Sequence, residues 1–168
     1  MEFYSIGLIN SINQLRKKLT INFFYTLFIF LAFSFILYLR NNKHLDIVFF
    51  VCEFVLLISL LLIEYTQIVV KGEAINKTAV EVRIDDENIS ITTAAFRVLF
   101  WINKPAEELK FKLTAISISR VPYKLKEIYD LDYAIHINDR IKSAFIITDY
   151  FEKDLKLKLQ EIAGRDDF

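Results

Sequence analysis

The sequence predicts a membrane protein in two parts. An N-terminal α-helical transmembrane hairpin is followed by a small α+β domain, an antiparallel β-sheet or partial barrel with a C-terminal helix. Three observations carry this reading. Two long apolar runs fill most of the first 70 positions, period-two alternation begins near Ala74, and an apolar stripe at helical spacing lies near the end. The expected division is 1–18 as an N-terminal interfacial segment, 19–70 as the hairpin and 71–168 as a β-rich domain.

Composition agrees. The chain has 168 residues, 54% of them apolar, and a formal net charge of zero. Such apolar content excludes an intrinsically disordered acidic or basic chain. A single Cys excludes an internal disulfide framework, and two distant His with one Cys do not make a zinc module.

The first run, 19–39, contains no charged residue and is crowded with Phe23, Phe24, Phe28, Phe30, Phe33 and Phe35. At about 1.5 Å per residue it covers about 30 Å, the thickness of a bilayer's hydrocarbon core. It is too long for a signal peptide's apolar region, and no small-residue cleavage site follows. The second run, 47–70, contains Glu53 and Glu64. Basic residues set the orientation. Arg16, Lys17, Lys18, Lys71 and Lys77 flank the outer ends of the two runs, against Arg40 and Lys43 between them. A two-pass inner-membrane protein with both termini cytoplasmic is expected, and the lone Cys52 suits a reducing compartment.

Before the first run, Ile6, Ile9, Ile12 and Leu15 recur at helical spacing. Residues 2–18 therefore read as an interfacial helix, or alternatively as a frayed start. Beyond the second run, Val80, Val82 and Ile84 alternate with Glu81 and Arg83, the turn Asp85-Asp86-Glu87-Asn88 follows, and Ile89 and Ile91 resume the pattern. These are strands with one buried face. Further strands are expected over 96–102, 109–118, 132–137 and 141–148, with Asn138-Asp139 as a turn. Leu109, Phe111 and Leu113 share one parity while Ile116 and Ile118 take the other, so a bulge or bend is expected near Thr114 and Ala115.

The last element reads as a helix capped by Asp149, with Glu152 as its capping-box partner. Phe151, Leu155, Leu159 and Ile162 form its apolar stripe, and Gly164 supplies the stop. Its Leu155-Lys156-Leu157-Lys158-Leu159 centre also fits a strand. The order of strands followed by one helix, over about 78–163, resembles the bacterial pleckstrin-homology-like domains.

Catalytic signatures are missing. No Gly-rich phosphate loop, nucleophile elbow, HExxH or paired-cysteine spacing is present, so an enzyme, a metal site and a resident cofactor are not expected. His44 falls in the loop between the runs. His136 falls in a strand, where a lone His is usually structural or faces solvent. Asp130 and Asp132 read as solvated turn residues rather than an acid–base pair.

Charge is more telling. The stretches 71–96, 97–126 and 127–168 carry net charges of −2, +5 and −4. The central one holds Arg97, Lys104, Lys110, Lys112, Arg120, Lys124 and Lys126 with Trp101 and Tyr123 among them. Cations with aromatic rings can hold phosphates and stack bases. The same residues also fit an ordinary solvated face, or a surface resting on anionic headgroups. Glu53 lies six residues past Ile47, about 9 Å into its span. A carboxylate at that depth faces a bundle interior or water, unless it snorkels or stays protonated. In a homo-oligomer, copies of Glu53 would form a ring near Cys52 and Ser59.

The whole architecture resembles the membrane effectors of prokaryotic antiviral signalling. Among these are the cyclic-oligoadenylate-binding effectors associated with type III CRISPR systems. That resemblance implies a homo-oligomer whose cytoplasmic domains bind a cyclic nucleotide and whose helices then perturb the membrane, with lipid as a partner and no role for DNA. A pleckstrin-homology-like scaffold for a protein partner and an accessory subunit of a membrane complex are the competing readings.

Overall fold

A computed structural model describes residues 1–40, 47–99, 101–122 and 133–164. Two long helices, α1 (Leu8–Arg40) and α2 (Ile47–Asn76), are followed by a small antiparallel sheet domain closed by a C-terminal helix. Both helices are long and apolar enough to cross a membrane. From Ile21 to Leu39 on α1 and from Ile47 to Ile63 on α2, large apolar side chains stand exposed. In water that surface is costly, and in lipid it is satisfied.

The N-terminus differs from the expected interfacial helix. Residues Glu2–Tyr4 form a strand, β1, paired antiparallel with β2 (Ala79–Ile84). The helix begins only at Leu8, after Gly7 turns the chain at φ 81°. Leu8, Ile12 and Leu15 are buried, whereas Ile6 and Ile9 are exposed. Of the four residues read as an apolar stripe, only Ile12 and Leu15 pack on protein, in a buried stripe that starts at Leu8 and ends at Leu19.

The strands β3 (Asn88–Thr93) and β6 (Glu108–Lys112) complete a four-stranded sheet in the order β1-β2-β3-β6. Between them, β4 (Phe96–Val98) and β5 (Ile102–Lys104) form a separate hairpin. The single strand expected over 96–102 is thus broken, with Leu99 at φ 53°, a costly conformation for a leucine. The expected bend at 114–115 is a full break. Ala115 N–H donates to the Lys112 carbonyl at 2.9 Å, and the chain passes from β6 into β7 (Ser117–Pro122), which belongs to another sheet. There β7 pairs with β8 (Tyr133–Asn138), and β8 with β9 (Ser143–Ile146). Asp139 makes the β8–β9 turn, accepting from the Ile141 and Lys142 N–H groups at 2.9 and 2.6 Å. Those two bonds hold its carboxyl below the usual carboxylate range.

A 3₁₀ turn, Thr148–Tyr150, precedes helix α3 (Lys153–Ala163). Asp149 does not cap α3. Glu152 occupies the cap position, with no side-chain cap bond, because Asp149 is taken into the turn. Gly164 ends the helix at φ 62°, as the sequence indicates. Phe151, Leu155 and Leu159 are buried against the sheets.

Two cores result. One joins Phe3, Val82, Ile89, Ile91, Phe111, Ile135, Ile137, Ile146, Leu155 and Leu159 between the sheets and α3. The other joins helix ends to the β4–β5 hairpin: Leu8, Ile12, Leu15 and Leu19 of α1 and Ile68 and Ile75 of α2 meet Phe96, Val98 and Ile102. Helix α2 runs to Asn76, past the boundary expected at 70–71. Both helices run without interruption from their exposed apolar lengths into this second core.

Candidate functional site

Alternation along the strands disperses the cationic band. Lys110 and Lys112 project from the outer face of β6, since Phe111 between them is fully buried. Lys110 lies beside Ser90 and Lys112 beside Asn88 of β3. Arg97 pairs with Asn103 and Phe96 with Lys104, so Arg97 and Lys104 leave opposite faces of the β4–β5 hairpin. Lys104 meets Glu73 of α2 at 3.3 Å. Trp101 stands edge-on to Phe23 of α1, ring centroids 6.3 Å apart. Arg120, on β7, lies 4.1 Å over the Tyr133 ring in a cation–π contact. Tyr123, Lys124, Lys126, Asp130 and Asp132 lie outside the described residues, as do Lys43 and His44. Among the described residues of the band, only Lys110 and Lys112 share one strand face.

The rest of that face is internally paired. Arg83 Nε meets Glu81 at 2.8 Å and Glu2 at 3.5 Å, Tyr4 donates to Glu2 at 2.9 Å, and Thr92 donates to Glu81 at 3.2 Å. The Arg83 hydrogen bond draws the Glu81 carboxyl below its ordinary range, and the Glu2 bond raises the Tyr4 phenol. Lys110 has Glu108 at 3.6 Å, while Lys112 has no ion-pair partner among the described residues.

Glu53 lies on the stripe of α2 that turns towards α1. Glu53, Leu57, Leu60, Leu61 and Glu64 are half-buried and lead into buried Ile68 and Gly72. Near the loop end of the hairpin the Tyr38 and Phe50 rings lie 6.5 Å apart between centroids. The Ser34 hydroxyl is buried without a hydrogen-bond partner.

Two open grooves flank α3. One is lined by Thr148, Phe151, Lys153, Lys156 and Gln160, the other by Glu2, Phe3, Asp154, Lys158 and Glu161, with Leu157 shared between them. None of the band residues lines either groove. Among the described residues, no three His, Cys, Asp or Glu side chains are grouped to hold a metal ion.

His136 stacks on the Phe145 ring at 4.9 Å between centroids. Burial lowers its pKa, and the charge of Lys77 adds to the effect. The sign follows from linkage: as pH falls through about 6.5, the unfolded chain takes up a proton that the folded site resists. Thermal stability should therefore decline from pH 7 to pH 5.5. In His136→Phe that decline should be smaller, and an unchanged slope in the variant would show that His136 does not cause it.

No family model, curated protein or solved structure matches the chain.

Proposed function

We propose that this chain is a non-enzymatic, membrane-anchored sensor and effector. Its soluble domain binds a cyclic nucleotide second messenger, and its hairpin answers by perturbing the membrane in antiviral defence. One observation supports this best: α1 and α2 pass unbroken from exposed apolar surface into the core shared with β4–β5. A rigid joint of that kind transmits a shift in the domain to the helices, where a flexible linker would absorb it. The ligand acts by favouring one arrangement of a homo-oligomer, which requires that it bind that arrangement more tightly. Its phosphates would sit on Lys112 and Lys110, with Asn88 and Ser90 beside them as hydrogen-bonding groups.

The test is thermal unfolding of the full chain in lipid nanodiscs with cyclic oligoadenylates. A ligand at about 100 times its Kd should stabilise the protein by about 2.7 kcal/mol. Lys112→Ala and Lys110→Ala should each weaken binding about tenfold or more, as loss of a charge-assisted hydrogen bond does, and affinity should fall with salt. Tight binding indifferent to both substitutions removes β6 as the site, and no stabilisation by any cyclic oligonucleotide removes the ligand class. The exposed Leu157 between two grooves favours a second reading, a scaffold that recruits a protein partner. Leu157→Asp would then abolish recruitment while leaving the fold intact.

A further inference from the structure

The helices leave the protein core at a level marked by three aromatic residues and a collar of cations. Leu19 is the last buried residue of α1, and Ile21, Phe24 and Tyr25 beyond it are exposed. On α2 the corresponding change comes between buried Ile68 and Tyr65, which is 40% exposed. The β4–β5 turn reaches this level, because Trp101 meets Phe23 one turn past Leu19. Although large and apolar, Trp101 is 48% exposed. The turn is fastened there by Arg16, whose Nε donates to the Arg97 carbonyl at 2.6 Å. Exposed Lys17, Lys18 and Arg97 lie on the domain side of the aromatic residues. Lys104 does not join them, being engaged by Glu73.

We infer that the β4–β5 turn is a lipid-contact element: it seats the Trp101 indole among the headgroups, level with Tyr25 and Tyr65, and holds Lys17, Lys18 and Arg97 against anionic lipid phosphates. The inference rests on α1 and α2 spanning the bilayer. Its chemistry is independent of any nucleotide. An indole has an apolar body and one N–H donor, so it is satisfied where hydrocarbon meets headgroup. Cations one turn further out meet the phosphate layer, whose attraction fades within a Debye length. Continuity with the apolar helix surface and the excess of positive charge beside it, Glu73 being matched by Lys104, together select a membrane over a protein as the occupant. A sensing domain docked in this way would stand in a fixed orientation on the membrane.

Trp101 is the only tryptophan in the chain, so its fluorescence reports on this element directly. The experiment uses the full chain in nanodiscs of phosphatidylcholine brominated either near the headgroup or near the chain terminus. Strong quenching by the shallow label and little by the deep one is expected. The emission maximum alone does not decide, because contact with Phe23 also shifts it. Replacing part of the lipid by phosphatidylglycerol should raise the shallow quenching, and Lys17→Gln/Lys18→Gln/Arg97→Gln should abolish that increase. Incorporation into nanodiscs with no quenching by either label overturns the inference and leaves the spanning helices standing. An increase that survives the triple substitution overturns the assignment of the cations. Failure of the chain to enter nanodiscs overturns both the spanning reading and the inference.

Discussion

Phe96→Ala should destabilise the joint between helices and sheet domain by about 3–5 kcal/mol, the usual range for emptying a buried phenylalanine site. Phe96 is fully buried among the ends of α1 and α2, and its ring lies against Gly72. A Cβ placed on Gly72 would stand 2.5 and 2.7 Å from two carbons of that ring. Glycine is therefore needed at position 72 for close approach. Gly72→Ala should lose about 1–3 kcal/mol through overpacking, although alanine is the better helix former by about 1 kcal/mol. Combining Gly72→Ala with Phe96→Leu should recover part of both losses, because the two sites are in contact and not additive. Urea unfolding of the full chain in nanodiscs, followed through Trp101, measures all three. A Phe96→Ala midpoint equal to that of the unsubstituted chain would mean that the joint is not what holds the domain to its helices. On the proposed function, the same variants should bind ligand normally yet fail to depolarise membranes.

The second large effect separates lipid from water as the surroundings of the helices. Phe28 and Leu56 are exposed on α1 and α2. If lipid covers them, Phe28→Arg and Leu56→Arg should each cost about 2.5–3.5 kcal/mol of insertion, since both lie near the middle of their apolar runs. Each is then about a hundredfold change in the insertion equilibrium. If water covers them, the same substitutions should be neutral or improve solubility. Carbonate extraction of membranes from expressing cells distinguishes the two, with both arginines together giving the clearest loss from the membrane fraction. Retention of the double variant in the extracted membranes at the level of the unsubstituted chain would contradict a lipid-facing surface.

The long helices and most strands were legible because each is specified by neighbours in sequence. An unbroken apolar run has a length that can be set against a bilayer, and Val82 and Ile84 alternating with Glu81 and Arg83 state which face is buried. The parity change after Leu113 likewise announced a bulge or bend, though not the full break between sheets, and Gly164 announced the end of α3. What alternation cannot state is which strand lies alongside. Residues 2–4 carry too short a pattern to identify a strand, and their partner β2 lies about eighty residues away. The change of sheet between β6 and β7 and the turn at Leu99 were decided by the packing each segment finds.

The candidate site divides in the same way. Sequence determined that the middle of the chain is cationic and that Lys110 and Lys112 share a face, because charge and parity are properties of the local chain. Only the tertiary structure decided that Arg97 and Lys104 part company across a hairpin and that Arg120 lies over Tyr133. It also set Trp101 beside Phe23, making one level of residues from a helix and a turn far apart in the chain. The physical reason is common to all of these. Side-chain neighbours across elements depend on register and on close approaches such as Gly72 to Phe96, which arise when whole surfaces pack and not in any local stretch of residues.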